Sequence, residues 1–166
     1  MRIQVRRRHP VSPKEVKRAN DAIDAAFGVR PVPEDTVIEV ADADTYEFLL
    51  HKAHVVAVTR DPHGSPPFPA LRALLARPPA RRFVTVDMGA VPFVAKGADV
   101  MAPGITAADP AVQPGDLVWI KDEKHGRPLG IGSALVSGPE MQASTKGKAV
   151  RTLHFVGDEI WKIGDT

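Results

Sequence analysis

Asp87-Met88-Gly89-Ala90-Val91-Pro92-Phe93-Val94-Ala95-Lys96-Gly97-Ala98-Asp99-Val100-Met101-Ala102-Pro103-Gly104-Ile105 reads as a short apolar helix between two glycines, followed by a tight turn. Gly89 and Gly97 permit positive φ and close backbone approach, where a side chain would clash. Pro92 fits a helix only in its first turn, so the spacing predicts a helix from about Gly89 to Lys96-Gly97. A short strand, Asp99 to Met101, follows, and Pro103-Gly104 imposes a turn. Small residues and exposed backbone amides suit a flat or charged ligand that must approach the main chain.

Outward from this run, the second half of the chain is a series of short strands. Phe83-Val84-Thr85-Val86 feeds into the helix, and Pro114-Gly115-Asp116 turns into Leu117-Val118-Trp119-Ile120. Asp122 to Gly126 is a hairpin loop leading to Pro128–Val136, where Gly130 and Gly132 permit a bent strand. Lys146-Gly147-Lys148 precedes Ala149 to His154, and Asp158 to Lys162 closes the chain. Many short strands with one helix point to a small closed or nearly closed barrel.

The first half reads differently. Arg2 to Arg8 alternates apolar and basic residues and predicts a strand with one basic face, broken at His9-Pro10. Ser12-Pro13-Lys14-Glu15 is a helix start with an N-cap serine, a proline at the first helical position and a glutamate completing a capping box. Val16, Ala19, Ile23, Ala26 and Phe27 form one apolar stripe, and Gly28 ends the helix. Thr36–Val40, Tyr46–Leu50 and Ala53–Thr59 are expected strands, the first two joined by a turn at Asp42-Ala43-Asp44. A second helix is expected from Phe68 to Ala76 with Leu71, Leu74 and Leu75 buried. Pro78-Pro79 stops it and marks a boundary, giving domains 1–79 and 80–166.

These pieces together resemble the PUA domain, an RNA-binding module. The likeness rests on the Asp87–Ile105 run, Gly115-Asp116, Gly130-Ile131-Gly132-Ser133, Gly147-Lys148-Ala149-Val150 and Asp158-x-x-Trp161, and it covers about Arg82 to Lys162. The whole chain is similar to archaeal proteins with a pre-PUA domain before PUA. Those in turn are similar to the malignant-T-cell-amplified-sequence protein and the N-terminal half of ligatin. The resemblance implies an α+β fold, a small N-terminal α/β domain followed by a C-terminal PUA β-barrel. It also implies non-catalytic binding of structured RNA, tRNA with its 3′ end included. Ribosomal RNA, the small ribosomal subunit and a separate initiation-factor-like protein are the further implied partners, in initiation or recycling. An adaptor that presents RNA to a modification enzyme is the alternative, and both would use the same PUA surface.

Composition bounds these readings. The 166 residues are 43% hydrophobic with formal net charge +2, so cores are affordable and neither half is a polycation. Residues 1–80 carry 12 Lys/Arg against 10 acidic residues, and residues 81–166 carry 10 against 10. A nucleic-acid site must therefore be a local patch. The absence of cysteine excludes disulfides, thiolate zinc sites and a cysteine nucleophile, and fits a cytoplasmic setting. No apolar run is long enough to span a bilayer, so no membrane partner is expected.

Lys96, Gly97, Ala98, Val100 and Met101 are the first candidate RNA-binding residues: a cation for phosphate beside small residues for sugar or base. The competing reading is that the glycines only let a helix cap a barrel. Lys146, Lys148 and Arg151 are the second candidates. Strict strand alternation puts Lys148 and Arg151 on opposite faces, while the resemblance sets their strand beside the first helix. Arg6-Arg7-Arg8-His9 and Arg77, Arg81 and Arg82 are further basic groups, read first as solvated. Trp119 and Trp161 sit in apolar patterns and are expected in cores, which argues against serial base stacking. Glu47, His51 and His54 have a conceivable metal spacing, but on strand-turn-strand they need not converge. No phosphate-binding loop, dinucleotide fingerprint or nucleophile elbow is present, so neither cofactor nor catalysis is expected.

Overall fold

A computed structural model describes residues 3–165, which divide into two compact units: residues 3–77 with 157–165, and residues 78–156. Arg2, where the first strand was expected to begin, lies outside the described residues. The tail from Gly157 joins the first unit, whereas the sequence expectation assigned it to the second. It is a series of turns rather than a final strand. Its Trp161 is half-buried with the Arg72 guanidinium 4.2 Å from the ring centre.

The first unit is an antiparallel sheet with two helices. Its strands are β1 (Arg6–Pro10), β2 (Glu39–Ala43), β3 (Tyr46–His51), β4 (His54–Arg60) and β5 (Phe68–Pro69), in that spatial order. Helix α1 (Pro13–Phe27) begins as expected: the Ser12 hydroxyl accepts from the Glu15 amide at 3.2 Å, and Gly28 closes it with φ +80°. Such a cap stabilises by about 1 kcal/mol. Val16, Ala19, Ile23 and Phe27 form its buried stripe. Helix α2 (Leu71–Ala76) is shorter than expected, because Phe68-Pro69 pairs with β4 as a strand, and Leu75 is exposed. Strand β1 starts later than its alternation suggested and runs through His9-Pro10. Arg7 takes φ +54° at an irregularity in the pairing with β2.

The second unit contains β6 (Phe83–Val86), α3 (Val91–Val94), β7 (Val100–Met101), β8 (Ile105–Ala108), β9 (Leu117–Asp122), β10 (Pro128–Ala134), α4 (Gly138–Ala143) and β11 (Lys148–Phe155). The sheet order is β7-β11-β10-β9-β6-β8, antiparallel except for β6 beside β9. The two outer strands, β7 and β8, are consecutive in the chain and joined only by a 3-10 turn, Ala102–Gly104. That short link curls the six strands into a nearly closed barrel. The fold is α+β.

Curvature is built into β10. A Cβ on Gly132 would stand 2.4 Å from Val150 and 2.6 Å from the Arg151 carbonyl oxygen, so only glycine lets β11 lie this close. Helix α4 was not expected from the strand-rich pattern. Ser137 caps it by accepting from the Glu140 amide at 3.3 Å, with Pro139 in the first turn. Val84, Val86, Val100, Val118, Ile120 and Met141 are among the core residues.

Asp122 ends β9 as a nearly buried carboxylate. Burial pushes its pKa up, but backbone amides of His125, Arg127 and Lys124 donate to it and hold it below the usual 3.8. A depressed folded-state pKa supplies stability above the unfolded value, which is lost as pH falls through the folded one. Denaturant melts from about pH 6 to about pH 2 should therefore show Asp122→Asn less stable than wild type at the upper end. The gap should close below pH 3.8; a pH-independent gap would contradict this account.

Candidate nucleic-acid interface

The opening run folds as one turn of helix with a complete glycine cap. The Gly97 amide donates to the Val94 carbonyl at 2.9 Å, and the Ala98 amide to the Phe93 carbonyl at 3.1 Å. This is a Schellman closure of the turn that follows Val94, with Lys96 in that turn and Gly97, at φ +89°, next to it. Gly89, in contrast, does not use positive φ. Lys96 is exposed at the helix C-terminus, where a cation is favoured.

Gly97 is required for packing. A Cβ there would lie 2.5 Å from the ring of Phe155, at the end of β11. The space that the sequence reading offered to a ligand is filled by that ring, and the glycine locks α3 to β11. Two further links come from the same strand. The Thr152 hydroxyl donates to the Ala98 carbonyl at 2.9 Å, and the Thr152 amide donates to Asp99 at 3.0 Å.

Strand β11 also pairs with β7, with Lys148 opposite Met101 and Val150 opposite Val100. The extra residue, Ala149, forms a bulge. Ala149 and Val150 are both fully buried in the same core, so the alternation expected from sequence is broken. Lys148 and Arg151, which flank them, therefore both stand on the solvent side. Lys146 is exposed in the preceding turn, its carbonyl accepting from Ser144. Lys148 pairs with Asp99 at 3.2 Å, so part of its charge is spent locally.

Between α3, β7 and the Pro103-Gly104 turn lies a cleft of about 310 Å³, lined by Asp87, Ala90, Phe93, Asp99 and Met101 among others. Of the candidates, Val100 and Met101 line it. Val100 is core, while Met101 is exposed beside Phe93, which is 67% exposed, and Met88 is exposed in the same run. Sequence reasoning missed Phe93. A one-turn helix can bury only one of the adjacent Phe93 and Val94, and it buries Val94. The surface thus has an aromatic-thioether wall, two carboxylates at the cleft, and cations at Lys96, Lys146, Lys148 and Arg151. Such a surface can stack a base, accept hydrogen bonds from hydroxyl or amino groups, and neutralise phosphates around the cleft.

Trp119 is buried, its indole N–H donating to the Arg81 carbonyl at 2.9 Å. In the first unit, Glu47 is held by Thr59 and Arg60. Among the described residues, no group of three or more His, Asp or Glu could share an ion. No helix there is long and apolar enough to cross a membrane.

The PUA domain model matches residues 82–156, the stretch that carries this cleft. A solved conserved PUA domain protein from Thermoplasma acidophilum superposes with a TM-score of 0.81. It is 30% identical, and the alignment covers 94% of this chain and 98% of that one. The chain belongs to the PUA-domain proteins. Its likeness to the malignant-T-cell-amplified-sequence type is also borne out. The malignant T-cell-amplified sequence 1 homolog of Drosophila melanogaster is 36% identical over 72% of this chain and 66% of its own length. Translation machinery-associated protein 20 of Saccharomyces cerevisiae is 33% identical over 56% of this chain and 55% of its own. The chain thus spans between half and two thirds of these two relatives.

Gly97→Ala should cost more than about 1 kcal/mol in thermal or denaturant melts, since alanine is strained at φ +89° and collides with Phe155. Phe155→Leu, made in the same chain, should recover part of that loss. Strict additivity of the two changes would contradict the contact.

Proposed function

We propose that this PUA-domain protein binds structured RNA without catalysis, and that its target is tRNA with the unpaired 3′ end seated in the α3–β7 cleft. The observation that carries this reading is the juxtaposition of the exposed Phe93 and Met101 with two carboxylates, and with Lys148, which pairs with one of them and stands opposite Met101. An unpaired terminal base can stack on Phe93 while its hydroxyl and amino groups donate to Asp87 or Asp99. The phosphates that precede it meet Lys96, Lys146, Lys148 and Arg151. A duplex interior offers no free base face to such a wall, so a single-stranded end suits it better. The name of the yeast relative, translation machinery-associated protein 20, supports work in translation. We place the step at the small ribosomal subunit, in initiation or recycling in the cytoplasm, with ribosomal RNA and a separate initiation-factor-like protein as partners.

Fluorescence titration of deacylated tRNA, intact and trimmed of its 3′ end, tests the reading. Intact tRNA should bind with a log–log salt slope of roughly −2 to −4. Phe93→Ala should weaken binding by about tenfold or more while leaving the slope nearly unchanged. Trimming should weaken binding at least as much and also flatten the slope, because it removes phosphates that the cations meet. Lys96→Ala should reduce the slope by about one. Lys148→Ala should cost more affinity than Lys96→Ala, because it also leaves Asp99 without its cation. Equal affinity for intact and trimmed tRNA would overturn the 3′-end assignment.

A further inference from the structure

The first unit has a cleft of its own, about 730 Å³, bounded by residues 29–34, the turn between β3 and β4, and α2. Its lining carries Arg30, Lys52, Arg72 and Arg77 against a single acid, Glu34. Most of these charges are already matched. Arg30 holds Asp21 at 2.9 Å and Glu34 at 3.2 Å. Arg72 and His54 share Asp165, each at 3.1 Å. Lys52, Arg77 and the His51 ring have no side-chain partner among the described residues. The unmatched field of the cleft is therefore positive.

Lys52 is also held there at a conformational cost. The β3–β4 hairpin has a two-residue turn with Lys52 at φ +49° and Ala53 at φ +71°. Those angles belong to a type I′ turn, which Asn-Gly fills most easily. Lysine and alanine in these positions are strained, and such strain gathers at functional sites. Gly164 packs against the Ala53 carbonyl, where a Cβ would come within 2.4 Å, so the tail braces the turn.

We propose that this cleft is a phosphodiester-binding site, taking backbone phosphate of an RNA strand on Lys52 and Arg77, with His51 placed for a ribose hydroxyl. This extends the RNA-binding reading to a second surface and rests on it for the choice of RNA as the anion. It does not use the α3–β7 cleft. An acidic peptide would meet the same field, and it is one outcome of the test.

The test is an amide chemical-shift titration of the full ¹⁵N-labelled chain with a short oligouridylate, and separately with an oligoglutamate peptide. Three variants accompany it: Lys52→Gly, Lys52→Arg and Arg77→Gln. Lys52→Gly removes the charge but relieves the positive φ, so its thermal midpoint should equal or exceed wild type and loss of binding cannot be loss of fold. The oligouridylate should shift the amides of Lys52, Ala53 and Arg77. Lys52→Gly and Arg77→Gln should each weaken that response about fivefold to tenfold and lower the salt slope by about one, while Lys52→Arg retains both. Shifts confined to residues 87–105 and 146–151 would overturn this site and leave RNA binding by the second unit intact. An absence of RNA-induced shifts in both units would overturn both readings. Equal or stronger response to oligoglutamate at Lys52 and Arg77 would reassign the cleft to an acidic peptide and overturn the proposal.

Discussion

Strand β11 is hydrogen-bonded to β10 on one side and to β7 on the other, and the second unit depends on its holding both at once. The approach to β10 requires Gly132, since any Cβ there would collide with Val150 and the β11 backbone. The approach to α3 requires Gly97, whose missing side chain is replaced by the Phe155 ring. Between these contacts the Ala149 bulge turns two consecutive side chains into the core. The bulge reverses the expected orientation of the charges and leaves Lys148 and Arg151 both facing solvent. The barrel and the basic surface are thus two consequences of one strand's pairing.

The electrostatics of that surface are mixed rather than uniformly basic. Asp99 accepts from Thr152 and pairs with Lys148, and Asp87 accepts from the Ala90 amide at 2.8 Å at the start of α3. Carboxylates at a cleft disfavour a phosphate inside it and favour hydroxyl or amino donors there, with phosphates at the surrounding cations. With formal net charge +2 over 166 residues, long-range attraction is weak. In the proposed RNA complex, affinity comes from short-range shape and stacking as much as from charge, which gives the exposed Phe93 its weight.

Much of this was legible in the sequence wherever a local rule has one solution. The Ser12-Pro13-Lys14-Glu15 start and the Gly28 stop of α1 are such cases. The positive φ of Gly97 is another, although the helix expected from Gly89 to Lys96-Gly97 forms only over Val91–Val94. The nearly closed barrel follows from the pieces that resemble PUA. What escaped depends on tertiary partners. The bulge at Ala149 exists because β11 serves two neighbours, and no local pattern announces it. Phe93 looks apolar and buried until α3 proves to be a single turn. Phe68-Pro69 becomes a strand only because β4 offers it an edge. Helix α4 did carry a signal, Ser137-Gly138-Pro139-Glu140, the same cap chemistry as α1, but it followed directly on a strand pattern and was absorbed into it. The tail's place in the first unit rests on Asp165 meeting Arg72 and His54, more than ninety residues away in the chain.

In the proposed complex, RNA touches the protein at the α3–β7–β11 surface. Ultraviolet crosslinking of the full chain to tRNA, followed by peptide mapping, tests it most directly, because crosslinks form only at contact distance. The account predicts crosslinked peptides containing Phe93 and Met101, with the adducted nucleotide at the tRNA 3′ end. Crosslinks that avoid residues 87–105 and 146–151 while the RNA is demonstrably bound would contradict it.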